Sequence, residues 1–256
     1  MLNIGPYEFH SRLVLGTGKY ENFEIMKKSL EASGTDLVTV AIRRIDLNAP
    51  KGEGLLDFID PGKFSLLPNT AGCFNIEDAI LTAKLAREAL KTNLIKLEVI
   101  GDKFSLWPDM EQTIEAARIL IEDGFVVMPY CGPDPVGARK LQEIGCHAVM
   151  PLASPIGSGL GIQDKETLSI VRKAINNVPM IVDAGVGTAS DAAVAMELGA
   201  DGVLMNTAIA EAKKPIQMAE AMKHSIIAGK LAFDAGRMPR KFAADPSSPT
   251  EGVPGS

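Results

Sequence analysis

Lys96 and Glu98 stand two apart inside the apolar run Leu94-Ile95-Lys96-Leu97-Glu98-Val99-Ile100. A run of this composition predicts a buried strand. Strand side chains alternate faces, so Lys96 and Glu98 share one face and Leu97 and Val99 the other, against a helix. Charges in a core cost several kcal/mol unless they are paired or used. A desolvated lysine is expected to have a lowered pKa and to offer a neutral amine that attacks a carbonyl. The neighbouring carboxylate would move the protons that imine chemistry requires. The same two residues could also be a buried ion pair that only fixes structure.

Three glycine-rich stretches offer a place for an anion. Asp183 is followed by Ala184-Gly185-Val186-Gly187-Thr188-Ala189-Ser190-Asp191. Small residues ahead of a helix start let backbone N–H groups approach an anion. Asn206-Thr207-Ala208-Ile209 opens a second short helix, and the two stretches together read as a phosphate site or as plain turn-and-cap chemistry. Ser154-Pro155-Ile156-Gly157-Ser158-Gly159-Leu160-Gly161 would let a substrate lie against its backbone, or simply connect two elements. Asp183 is a second candidate acid/base beside Glu98, or a helix cap. Arg43-Arg44 is a solvated charge pair or an anion contact at a strand's exit.

The elements that must position these residues repeat with a regular beat. Residues 1–9 predict a short hairpin around Gly5-Pro6 that plugs one end of the fold. Strands are predicted at 13–15, 37–42, 65–70, 94–100, 125–128, 148–150, 179–183 and 202–206. Helices are predicted at 23–32, 76–90, 110–122, 135–143, 165–175, 190–198 and 215–228, the last as one or two. Gly124, Gly145 and Gly199 end helices ahead of the next strand, as C-terminal signals do. Eight strands alternating with helices predict an α/β fold of the (β/α)8 TIM barrel type, with chemistry at the C-terminal ends of the strands. Lys96 and Glu98 fall near such an end. An open doubly wound sheet is the alternative, but Gly16-Thr17-Gly18 is too short for a nucleotide loop. One domain over 1–239 is expected. Residues 43–63 form a long functional or mobile loop. Residues 240–256, rich in Pro, Gly and Ser, are a disordered tail, a lid or a partner contact.

With 256 residues, 46% of them hydrophobic, the chain can bury a full core. A net charge of -6 and the absence of a basic block argue against nucleic acid as a partner. No charged-then-apolar leader opens the chain, and no apolar run approaches the roughly 18 residues of a membrane span. A cytoplasmic protein with reduced thiols at Cys73, Cys131 and Cys146 is expected. His10, His147 and His224 have no metal-ligand spacing, so neither a metal nor another cofactor is expected.

Taken jointly, several stretches resemble one family, the bacterial thiazole synthases of thiamin biosynthesis. They are Leu15-Gly16-Thr17-Gly18-Lys19-Tyr20, Leu67-Pro68-Asn69-Thr70-Ala71-Gly72, Ile95-Lys96-Leu97-Glu98-Val99-Ile100-Gly101, and the loops after 150, 182 and 202. The likeness continues into Ala235-Gly236-Arg237-Met238-Pro239 and Ser247-Ser248-Pro249. Tyr130-Cys131-Gly132-Pro133 departs from the family's Tyr-Thr-Ser-Asp. The resemblance implies a barrel that condenses 1-deoxy-D-xylulose 5-phosphate, dehydroglycine and sulfur from a ubiquitin-like carrier with a C-terminal thiocarboxylate. It implies Lys96 as the Schiff-base lysine and Glu98 and Asp183 as proton-transfer carboxylates. Gly157, Ala184, Gly185, Asn206 and Thr207 match the family's sugar-phosphate contacts. A homotetramer and a dehydroglycine-producing partner enzyme are expected with it. Without the resemblance the residues lead to a phosphate-binding barrel with an imine lysine. That description also fits a Schiff-base sugar-phosphate aldolase or a non-catalytic sugar-phosphate scaffold.

Overall fold

A computed structural model describes residues 1–45, 49–50 and 52–248. Strands β1 (Leu2–Ile4) and β2 (Tyr7–Phe9) form an antiparallel hairpin with Leu2 opposite Phe9. Eight parallel strands follow: β3 (Leu13–Gly16), β4 (Leu37–Ala41), β5 (Ser65–Asn69), β6 (Leu94–Leu97), β7 (Val126–Cys131), β8 (Met150–Pro151), β9 (Ile181–Asp183) and β10 (Gly202–Met205). Their order is β8-β7-β6-β5-β4-β3-β10-β9. The ring closes between β8 and β9, where Val149 N donates to Pro179 O and Ile181 N to Val149 O, each at 3.0 Å. This is the closed (β/α)8 barrel that the alternation predicts.

The helices are α1 (Phe23–Ser33), α2 (Ile76–Leu90), α3 (Met110–Glu122), α4 (Pro135–Glu143), α5 (Lys165–Ala174), α6 (Ala189–Glu197), α7 (Thr207–Ala210) and α8 (Pro215–Ala235). Asn22, Asn75, Asp109, Asp134 and Asp164 cap five of them by accepting backbone N–H groups of the first turn. These caps follow loops at the C-terminal ends of strands and turn the chain back outside the ring.

The period-two alternation separates two cores. Leu13, Leu15, Ile95, Leu97, Val99, Val127 and Val182 face outward into the layer under the helices. Val14, Leu37, Leu67, Leu94, Met128, Met150, Ile181 and Leu204 face the lumen. Leu2, Ile4 and Phe9 of the hairpin join that inner cluster. The hairpin therefore plugs the N-terminal end of the barrel, and the opposite end is left for chemistry.

Several boundaries differ from the sequence expectation. β7 runs three residues further, through Pro129 to Cys131. Val126 N bonds toward β6, to Asn93 O, so by alternation Pro129 turns its nitrogen toward β8. The β8 ladder begins only at Tyr130, so the missing donor interrupts nothing. β8 is confined to Met150–Pro151 and is entered one bridge earlier, at Val149. The long loop after β4 holds two 3₁₀ turns, Ile42–Arg44 and Leu55–Phe58, while its residues 46–48 and 51 lie outside the described residues. α8 is one helix and continues to Ala235, and residues 236–248 beyond it are exposed. The remainder of the expected tail, 249–256, lies outside the described residues. Among the described residues no helix is long and apolar enough to cross a membrane.

Candidate active site

Lys96 is the inward-facing residue above Leu94 on β6, and only 6% of it is exposed. Its Nζ donates a 2.9 Å hydrogen bond to Asp183 Oδ1. Asp183 Oδ2 lies 2.8 Å from the same nitrogen but receives no directed hydrogen bond. Glu98 Oε1 lies 3.2 Å away. Asp183 ends β9 on the lumen side, and Glu98 follows β6 one pleat above Lys96. The ring of Tyr130 closes the group from β7, with its centroid 5.9 Å from Nζ. Tyr130 OH donates to Leu106 O at 3.3 Å, so the ring is tethered from outside the ion cluster.

The electrostatics reverse one sequence expectation. Burial does press the Lys96 ammonium toward neutrality, and it is the largest single influence. The carboxylates of Asp183 and Glu98 together outweigh it and push the lysine up to about 12. Lys96 is therefore a charged donor in the resting cluster, not the neutral amine expected from desolvation alone. Asp183 is raised to about 6, by burial first and by the Glu98 charge, against the pull of Lys96. Two carboxylates and one ammonium leave a deficit of positive charge, and Asp183 carries it. Tyr130 is likewise held firmly protonated, by burial first and then by both carboxylates. A carboxyl titrating near 6 beside an ammonium is well matched to relaying a proton near neutral pH.

The loop after Asp183 is shaped by a close crossing. Ala184 and Gly185 both have positive φ, 110° and 93°. A Cβ on Gly185 would lie 2.0 Å from Ser154 Oγ and 2.6 Å from Ser154 N, so only glycine fits. The loop after β8 clamps these peptides from above. Ala153 N donates to Ala184 O at 3.2 Å, Gly161 N to Gly185 O at 2.8 Å, and the Ser154 hydroxyl to Gly161 O at 3.0 Å. The carbonyls of Ala184 and Gly185 are thereby engaged.

The start of α6 is not the open anion site that its sequence suggests. Gly187 N and Thr188 N both donate to Asp191 Oδ2 at 3.0 Å, so a side chain of the same helix already occupies it. After the adjacent strand β10, Asn206 packs against Gly16, where a Cβ would approach Asn206 Cβ to 2.7 Å. Asn206 Oδ1 is buried with no hydrogen-bond partner, and its backbone oxygen accepts from Ile209 N and Ala210 N.

A cavity of about 750 Å³ opens at the C-terminal ends of the strands and brings all eight singled-out residues together. Lys96, Glu98 and Asp183 line its floor, and Gly157, Ala184, Gly185, Asn206 and Thr207 one wall. Thr39, Asn69 and Lys19 also line it; Lys19 and Asn69 lie in stretches that carry the family likeness, but no role was expected of any of the three. Asn69 could have been found, because its register partner across β5 and β6 is Lys96. Tyr130 could have been found by alternation from Met128. Among the described residues no group of His, Cys, Asp and Glu side chains could hold a metal ion.

Comparison with known proteins agrees with this architecture over nearly the whole chain. The family model for thiazole biosynthesis protein ThiG matches residues 3–249. A thiazole synthase of Aquifex aeolicus is 57% identical over 253 residues, covering 99% of this chain and 94% of that one. A thiazole synthase of Maricaulis maris is 60% identical over 245 residues, covering 96% and 91%. The BexX of Amycolatopsis orientalis, solved as a BexX/CysO complex, superposes with a TM-score of 0.84 at 34% identity, covering 94% of this chain and 98% of that one. More distant barrels share the fold alone, among them a KDPGal structure at a TM-score of 0.60 and 17% identity. A chain that matches the ThiG model from residue 3 to 249 and shares more than half its residues with thiazole synthases end to end belongs to the thiazole synthase family of thiamin biosynthesis.

Proposed function

We propose that this chain forms the thiazole phosphate of thiamin from 1-deoxy-D-xylulose 5-phosphate, dehydroglycine and a sulfur delivered by a carrier protein, through an imine on Lys96. The observation that carries the reading is one buried amine held between two carboxylates on the floor of a glycine-walled cavity. Asp183 continues directly into Ala184 and Gly185, so the amine and the wall belong to one site. Sulfur delivery by a carrier is supported by the related BexX, which is found in complex with a second protein, CysO.

Lys96 first gives a proton to Asp183, its nearest acceptor. The free amine attacks the ketone of the sugar phosphate, and loss of water leaves the imine. The imine is an electron sink, so an adjacent C–H loses its proton to a carboxylate, and the carbonyl walks along the chain. Glu98 and Asp183 carry these protons. The carrier's thiocarboxylate sulfur adds to the migrated carbonyl, the acyl group passes to the carbonyl's oxygen, and the carrier leaves as its carboxylate. The nitrogen of dehydroglycine then displaces Lys96 from the imine carbon, the sulfur adds to the carbon of its C=N bond, and a second loss of water completes the ring. The phosphate, held by Gly157, Ala184, Gly185, Asn206 and Thr207, supplies binding energy remote from the reacting carbons and fixes their position. The reading includes a homotetramer in the cytoplasm and a separate enzyme that supplies dehydroglycine.

Borohydride reduction in the presence of the sugar phosphate tests it. The adduct is expected on the peptide containing Lys96 and is expected to vanish in Lys96→Ala. An adduct that persists in that variant, or sits on another lysine, refutes the assignment.

A further inference from the structure

The two arginines at the exit of β4 part company. Ile42–Arg44 is a 3₁₀ turn, in which successive side chains point about 120° apart. Arg44 lies over Gly18: a Cβ there would be 2.5 Å from Arg44 Nη1 and 3.3 Å from Asn206 Nδ2. It therefore borders the wall assigned to the phosphate. Arg43 turns the other way. Its Nη1 donates to Gly72 O at 3.1 Å and its Nη2 to Cys73 Sγ at 3.3 Å.

The turn that receives Arg43 is the one that holds the imine strand. Thr70 N donates to Lys96 O at 3.2 Å, and Thr70 Oγ1 bridges the backbone N–H and carbonyl of Glu98 at 2.7 Å each. Cys73 O accepts from Ile100 N at 2.9 Å. Arg43 is thus tied to the turn that holds β6 and, while exposed to solvent, lines the β4–β5 side of the cavity that also contains Lys96 and Glu98. A guanidinium has five N–H donors, and the two used here reach a carbonyl and a thiol, neither of which neutralises its charge. Among the described residues no Asp or Glu forms an ion pair with Arg43. A cation oriented by two backward bonds and facing a cavity is built for an anion that arrives from outside.

We infer that Arg43 forms a second anion subsite, across the cavity from the phosphate wall, that takes the carboxylate-type end of a co-substrate. The inference rests on the reaction proposed above. Two co-substrates there carry such a group: dehydroglycine its carboxylate, and the sulfur carrier its terminal thiocarboxylate. Either would be held with its reactive atom turned toward the carbons that Lys96 activates.

The test compares the full chain with Arg43→Ala and Arg43→Lys. Oxamate, a stable planar analogue of dehydroglycine with the same carboxylate, is the small-molecule probe, and the thiocarboxylated carrier is titrated separately. Arg43→Ala is expected to raise the oxamate inhibition constant about tenfold or more, with partial recovery in Arg43→Lys. Unchanged oxamate inhibition with a tenfold rise in KM for the carrier assigns the same subsite to the carrier's terminus. If neither constant moves, the subsite is overturned. The borohydride adduct on Lys96, measured in each variant, reports that the imine site is intact. A wild-type chain that traps no adduct overturns the reaction itself, and the unmutated control tells that outcome apart from a failure at Arg43.

Discussion

Lys96 and Asp183 lie 87 positions apart in sequence and meet at 2.9 Å inside the barrel. The contact binds an ammonium on β6 to a carboxylate at the end of β9 whose own affinity for a proton is raised to about 6. Asp183 can accept the lysine's proton only while it is ionised. The rate is therefore expected to fall as pH drops through about 6, with the acid limb belonging to the coupled cluster. In Asp183→Asn that limb should disappear and kcat should fall by about 10²–10⁴-fold. A kcat–pH profile of both proteins checks this, and an unshifted acid limb in the variant would assign it to another group.

Lys96 also neutralises its neighbours, so its removal should cost stability in a pH-dependent way. Lys96→Ala leaves Asp183 and Glu98 buried together without a cation. Breaking a buried pair in this way costs about 3–5 kcal/mol. Asp183, raised to about 6 even with that cation beside it, then favours protonation further, so the native chain binds more protons than the unfolded one. Stability is lost as pH rises through that raised value and regained as it falls. Urea unfolding of Lys96→Ala is expected to approach wild type near pH 5 and to lag it most near pH 8. A deficit of equal size at both pH values would mean that the loss is packing, not charge.

The barrel was legible because its signals are local and repeated: alternation in strands, apolar stripes in helices, and glycines where helices stop. α2, α3 and α4 have the predicted boundaries for that reason. The eight residues singled out by the strand pattern and the family likeness together line one cavity. What failed depended on distant partners. The charge on Lys96 is set by Asp183, which no spacing rule brings to it. The start of α6 looked open because nothing local shows that the Asp191 carboxylate turns back onto Gly187 and Thr188. β7 passes Pro129 because its neighbour β8 starts late, a fact that belongs to another strand.

Gly185 is fixed by a backbone as well as a side chain, which makes a discriminating double variant. Gly185→Ala would drive a Cβ to 2.0 Å from Ser154 Oγ and 2.6 Å from Ser154 N, at a φ of 93°. The expected result is a loop shifted off its clamp, with inorganic phosphate inhibiting at least tenfold less well than in the wild type, a loss of about 1.4 kcal/mol. Adding Ser154→Ala removes the hydroxyl but not the amide nitrogen. The double variant should therefore remain as impaired as the single one. Recovery of phosphate inhibition in the double variant would show that the hydroxyl alone makes glycine necessary.

The hairpin offers the opposite dissociation, stability without chemistry. Phe9 is 3% exposed and packs with Leu2 and Ile4 into the inner cluster at the N-terminal end of the ring. Truncating a buried phenylalanine to alanine costs about 3–5 kcal/mol, because the surrounding strands cannot close over the void. The ion cluster is built at the other end of the same lumen, above Leu94, Met128 and Ile181. Those side chains are held by ladder bonds that do not pass through the hairpin. Phe9→Ala is thus expected to lower the unfolding free energy by that amount, read as a fall in the urea midpoint at unchanged slope, while kcat, measured well below the new midpoint, stays within about twofold of wild type. A fall in kcat that matches the loss of stability would mean that the plug and the ion cluster are one cooperative unit and that the lumen transmits strain along its whole length.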